Sequence, residues 1–166
     1  MATLVTALFS NNTQAEAAVD ALIKRNYSRD EISVIMSDAT RNKHFAIEAG
    51  NKAADGTGIG SAVGGVIGAT VAAIAAVGTS LALPGLGLII AGPIVAALAG
   101  AGAGGATGGI IGALVGAGIP EHRANVYDAG VRQGGVLIGV EAKSSDDIKI
   151  LEELLINLGG SGVRQE

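Results

Sequence analysis

Few residues in this chain have the spacing of a known chemistry. Gly100, Gly102 and Gly105 form a G-x-G-x-x-G pattern, the arrangement that lets bare backbone approach a dinucleotide pyrophosphate at the start of a helix. That chemistry also needs a strand before the glycines and an acid about 20 residues further on for the ribose hydroxyl. Neither is present, and the pattern lies in a Gly/Ala tract where composition alone produces such matches. No Gly-Lys-Ser/Thr triplet supplies a phosphate-binding loop. No cofactor is therefore expected.

The titratable residues are equally sparse. With no cysteine and two histidines, His44 and His122, the chain cannot build a disulfide, a thiolate metal site, a cysteine nucleophile or a zinc site of ordinary composition. His44, between Lys43 and Phe45 in a polar stretch, reads as solvated. Glu121, beside His122, stands at a helix start, where a carboxylate favours the positive end of the helix dipole. Asp146-Asp147 and Glu152-Glu153 read as helix-start and helix-surface acids rather than an acid–base pair. No catalytic, cofactor-binding or metal-binding residue emerges, and no enzyme activity is predicted.

The regularity lies instead in the glycines. Gly100, Gly104, Gly108, Gly112 and Gly116 recur every four residues, and Gly60, Gly64, Gly68, Ala72, Ala76 and Ser80 do the same earlier in the chain. Four residues is close to one helical turn, so each set forms a stripe without side chains. Glycine weakens a helix unless something is gained in return. A bare stripe allows a second backbone to approach closely, adding van der Waals contact and weak Cα–H···O bonds. Ser61, Gly65, Ala69 and Ala73 form a second small row beside the first. One hairpin cannot satisfy all these surfaces, so the stripes predict packing between copies of the chain.

The stripes sit in an unusual segment. From Gly56 to Pro120, 65 residues contain no Asp, Glu, Lys, Arg or His, and hold 19 of the 27 glycines. Pro84-Gly85 and Gly92-Pro93 punctuate it, which predicts a glycine-zipper helical hairpin over 56–120, with arms of about 58–83 and 93–118 and an apolar tip, "LGLII". Each arm of 26 residues would span about 39 Å, more than the roughly 30 Å of bilayer hydrocarbon. Lys52 and Arg123 flank the segment on one side, as the positive-inside tendency requires. Against a membrane, the segment has no Trp, Tyr or Phe for an interfacial belt, and Gly100 to Gly109 includes no large aliphatic residue. The expected setting is association with a lipid membrane; the alternative is a soluble ring or cage whose core is built from the hairpins and which shelters apolar cargo.

The two flanks, 1–55 and 121–166, share one grammar. "TLVTALF" (3–9) reads as a strand. Thr13 and Glu16 form a capping box, and Ala15, Ala18, Val19, Leu22 and Ile23 line a helix over 13–25 that ends at Asn26 in a left-handed conformation. "EISVIMS" (31–37) is the next strand. "GVLIGVEA" (135–142) begins the second unit, and Ser144 with Asp147 starts a helix faced by Ile148, Leu151, Leu154, Leu155 and Leu158. Gly159-Gly160 ends it before a short strand in "GVRQE". The expected fold is α+β: a ferredoxin-like split-βαβ head with the hairpin inserted between its halves, giving a four-stranded antiparallel sheet with two helices on one face. Stretch 38–55 is a polar connector. "IPEHRANVYDAGVRQGG" is a helix opening at Pro120, with Ala124, Tyr127 and Val131 as its apolar face. Such heads can bind small molecules between subunits, which makes a ligand-sensing module a further expectation.

A net charge of -4, only 11 basic residues and 2% aromatics argue against a nucleic-acid partner. "MATLVTALFS" lacks the pattern of a secretory leader. "ALFSNNTQAEAAVDALIKRNYSRDEISVIMSD", the glycine-rich middle and "IPEHRANVYDAGVRQGGVLIGVEA" together resemble the bacterial general stress proteins, known for heat-induced or low-temperature-induced expression. The resemblance implies a stress-linked protein without known enzymatic activity, in the bacterial cytoplasm or at the cytoplasmic face of the inner membrane. It supplies no catalytic residues.

Overall fold

The structure, a computed structural model, describes residues 3–40, 81–83, 87–95 and 109–165. In chain order the elements are β1 (Thr3–Phe9), α1 (Asn12–Lys24), a 3-10 turn (Arg29–Glu31), β2 (Ile32–Ser37), β3 (Leu81–Leu83), β4 (Leu88–Ala91), α2 (Gly109–Gly116), α3 (Glu121–Arg132), β5 (Val136–Ala142), α4 (Ser145–Asn157) and β6 (Ser161–Gln165). The strands form one sheet in the order β3-β4-β2-β5-β1-β6, and every neighbouring pair is antiparallel.

β1 and β5 pair along their full lengths, from Thr3 opposite Ala142 to Phe9 opposite Val136. Both are buried on two faces, and their side chains alternate between two cores. Val5, Ala7 and Phe9 point with Val136, Ile138 and Val140 into a core closed by Ala15, Ala18, Val19 and Leu22 of α1 and Leu151 and Leu155 of α4. Leu8, Ile35, Ile90 and Leu137 point the other way, against Ile110, Ala113 and Leu114 of α2 and Ala124, Tyr127 and Val131 of α3. The expected pair of helices on one face is therefore only half of the packing. A sheet with large aliphatics on both sides cannot leave one face to water, and the end of the uncharged segment, with the helix after it, covers the second.

Local signals place most flank elements. Asn26 has φ 63 after α1, and Gly159 has φ 93 after α4. Ser144 caps α4 by accepting the Asp147 backbone N–H at 3.2 Å. The start of α1 lies earlier than expected. Asn11, not Thr13, is the cap: its side chain accepts the Thr13 N–H at 2.9 Å, and Thr13 is already helical. Asparagine is as good a cap as any residue, so Asn11 serves here as well as Thr13 would.

The uncharged segment departs further from expectation. Residues 81–83, placed at the end of the first arm, are strand β3, and most of the expected tip is strand β4. β3 and β4 form an antiparallel pair, and β4 pairs with β2 from Val34 opposite Ala91 to Ser37 opposite Leu88. A short apolar run bounded by Gly and Pro fits a buried strand as well as a helix, and the open edge of β2 decides for the strand. The second arm is not one helix over 93–118, because Gly109 has φ 60, a left-handed conformation through which no α-helix continues. The remainder of both arms, 58–80 and 96–108, lies outside the described residues. Among the described residues no helix is long and apolar enough to cross a membrane.

Candidate functional site

Of the glycines expected to form packing stripes, Gly60, Gly64, Gly68, Gly100, Gly104 and Gly108 lie outside the described residues, and Gly112 and Gly116 fall in α2. That helix buries Gly109, Ile110, Ala113 and Leu114. Gly112 is half-buried and Gly116 exposed. Between them in sequence, Val115 is 44% exposed. At 3.6 residues per turn, this row turns away from the sheet that Ile110 and Leu114 face. α2 ends in a tight reversal: Ile119 N–H donates to Leu114 O at 2.9 Å, and Gly118 has φ 93.

α3 forms a second feature. Tyr127 is buried against the sheet and donates its hydroxyl to the Gly162 carbonyl of β6 at 2.7 Å. Its proton being committed there, the Thr6 hydroxyl, 3.0 Å away on β1, donates to Tyr127 Oη. On the outer side of α3 stands Val126, 61% exposed. An open cavity of about 540 Å3 lies on one side, between α3 and the end of β1, lined by Leu8, Ser10, Asn125 and Gly130 among others. A smaller one of about 230 Å3 is lined by Arg123, Val126, Tyr127, Gly162 and Arg164. Gly130 brings α3 down onto Leu8, whose Cδ atoms occupy the space a Cβ would need.

A polar clasp joins the two βαβ halves. Tyr27 donates its hydroxyl to Asp147 Oδ2, which also accepts the Lys143 backbone N–H at 3.0 Å. The Lys143 ammonium donates to Asn26 O at 2.9 Å, lies 3.4 Å from Glu31 Oε2, and sits 4.5 Å over the Tyr27 ring. Glu31 accepts the Ser28 backbone N–H at 2.7 Å, the main cause of a carboxyl pKa below the usual range, with Lys143 adding to it. These groups satisfy one another, which suits a structural joint.

The expected surface acids are dispersed. Asp146, Glu121, His122 and Glu153 are exposed, and Glu152 is half-buried. Only Asp147 is drawn into a cluster, as the acceptor of the clasp. Among the described residues no group of three or more acids and histidines could hold a metal ion. His44, Gly100, Gly102 and Gly105 lie outside them. Sequence reasoning missed the Tyr127 hydroxyl and Lys143. Periodicity identified Tyr127 as a core residue, but nothing local marks a hydroxyl whose partners come from β1 and β6.

Compared with known protein families, curated proteins and solved structures, the chain shows no significant match to any.

Proposed function

We propose that this is a non-catalytic, self-assembling protein whose copies pack through the small-residue stripes of the uncharged segment, in the setting of a bacterial stress response. The observation that carries the reading is the outward row of Gly112, Val115 and Gly116 on α2. A helix end that buries one face in its own sheet and leaves glycines and an exposed valine on the other is suited to receive a second backbone. The flank strands, in the order β2-β5-β1-β6 with connections β1-α1-β2 and β5-α4-β6, support reading the head as a ferredoxin-like split-βαβ pair.

Of the two settings, the soluble assembly is the better supported. A membrane hairpin would hold its tip about 39 Å from the head, whereas Ile89 and Ile90 pair with Met36 and Ile35. Association with a bilayer would then be peripheral, at its cytoplasmic face. The resemblance to general stress proteins supplies the stress context, and the sparse, mutually satisfied polar groups support the non-catalytic reading.

The test is light scattering on protein made without detergent, with membrane flotation alongside. We expect a monodisperse particle of several subunits that does not float with lipid. Gly112→Leu and Gly116→Leu should give smaller species with unchanged far-ultraviolet circular dichroism. Particle size unaffected by both substitutions would refute the stripe, and flotation resistant to alkaline wash would refute the soluble setting.

A further inference from the structure

We propose that α3 packs antiparallel on α3 of a second copy of the chain across a twofold axis, Val126 of each copy entering the 540 Å3 cavity of the other. His122, Asn125, Val126, Ala129 and Gln133 are all exposed. At about 100° per residue they fall in one arc roughly 100° wide, opposite the buried Ala124, Tyr127 and Val131. No Asp, Glu, Lys or Arg interrupts this strip. The outer side of α4, by contrast, exposes Asp146, Lys149 and Glu153. Val126 stands at the centre of the strip and, at 61%, is the most exposed large hydrophobic side chain among the described residues.

The occupant is a second copy because the strip is complementary to itself. A twofold axis through the middle of α3 brings Val126 level with the other copy's Ala129, and Asn125 level with its Gly130, so large faces small. The cavity lies at that level, lined by Ala129, Gly130 and Gln133 with Leu8 and Gly135. Gly135 is buried and Gly130 half-buried, so the floor is backbone and the Leu8 side chain that Gly130 admits. Asn125 already donates its amide to Glu121 O at 2.9 Å, which lowers the cost of covering it. Glu121 and Arg132 lie on one edge of the strip at opposite ends of the helix, and the same axis sets Glu121 of one copy against Arg132 of the other. Arg132 holds Asp128 through Nε and keeps its other N–H groups. Rim pairs of this kind fix register more than affinity. The 12 residues of α3 span about 18 Å, too short for the roughly 800 Å2 per partner of a free-standing dimer. The contact therefore rests on the assembly reading, as a second interface beside the α2 row.

The experiment is cross-linking of the full chain, which has no cysteine of its own, with a short bismaleimide. His122→Cys and Gln133→Cys chains, co-expressed with one of them carrying a size tag, should give a mixed covalent dimer. Neither should dimerise alone, because the axis holds identical positions at the helix ends about 16 Å apart. Val126→Lys in both chains should abolish the mixed dimer, since the cavity offers the ammonium no partner, and leave the far-ultraviolet circular dichroism unchanged. Ile150→Cys, 41% exposed on α4, should give no dimer in place of His122→Cys. Absence of the mixed dimer, its persistence in Val126→Lys, or equal yields from either chain alone or from Ile150→Cys would overturn the pairing. Light scattering on the parent chain separates the two readings. A particle of several subunits without the mixed dimer refutes the α3 contact alone, whereas a monomer refutes the assembly and the contact together.

Discussion

Tyr127 and Gly162 are joined by a 2.7 Å hydrogen bond from the tyrosine hydroxyl to the glycine carbonyl, so α3 is tied to the outermost strand of the sheet. Thr6 completes the arrangement from β1, its hydroxyl 3.0 Å from Tyr127 Oη and fully buried. We expect Tyr127→Phe to destabilise the protein by about 1–3 kcal/mol, the cost of losing the bond to Gly162 and leaving the buried Thr6 hydroxyl unmatched. Thr6→Val alone should cost less, because the Gly162 bond survives. Urea unfolding of both single variants and the double variant measures the coupling. Additive losses would mean that the two hydroxyls act independently.

Gly92 brings the backbone of the uncharged segment directly against that of β2. With φ 89, its missing Cβ would overlap the Ile32 carbonyl oxygen and lie 2.7 Å from Ser33 Cα, both backbone atoms. Neither can swing aside as a side chain could. Gly92→Ala should therefore cost more than the roughly 1–2 kcal/mol of a left-handed alanine. The loss should be local, since Ile94 N–H, which donates to Ser33 Oγ at 3.2 Å, lies in the same contact. Hydrogen exchange should speed up along Val34 to Ser37, where β4 pairs with β2, and remain slow in β1 and β5. Uniform acceleration across the sheet would contradict a separable β3–β4 unit.

Acid should loosen the clasp through Glu31. Its carboxyl is held below the ordinary glutamate value of 4.5, first by the Ser28 backbone N–H and only later by Lys143. A depressed folded pKa means that the stability from this group is fully present above 4.5 and is lost as pH falls through the lower folded value. Glu31→Gln should flatten that acid-side loss, whereas Lys143→Ala should leave most of it, because the larger cause is untouched. Glu16 has the opposite sign: burial, then Asp20, raise its carboxyl. Its charge opposes folding at neutral pH, and Glu16→Gln should raise the melting temperature there. Melting temperatures from pH 3 to pH 7 for the three variants check both signs.

What was legible in the sequence follows from how local each signal is. The face of α3 could be read from Ala124, Tyr127 and Val131, all buried, because helical periodicity reports only which side is apolar. The stops at Asn26 and Gly159 were legible because a left-handed residue after a helix has a recognisable chemistry. β4 was not, since "LGLII" carries no alternation and its structure is decided by the free edge of β2, and β3, "LAL", is a strand through its pairing with β4. The break at Gly109 had no signal at all: in a tract of glycines, the one with positive φ has the same letter as those that continue a helix.

That break offers a test in which the sign alone decides. Gly109 is buried, opens α2 and has φ 60. If 93–118 were one continuous helix, Gly109→Ala would remove a poor helix former and gain up to about 1 kcal/mol. In the fold described here, alanine must adopt the left-handed region at a cost of about 1–2 kcal/mol, or else α2 must change its direction of entry and pull Ile110 and Leu114 from the core beside Ile90. We therefore expect Gly109→Ala to lower the midpoint of urea unfolding. The neighbouring Gly112→Ala, in a half-buried position within the helix, serves as the control and should be neutral or stabilising. A gain in stability at position 109 would restore the continuous arm, and with it the case for a long hairpin reaching away from the head.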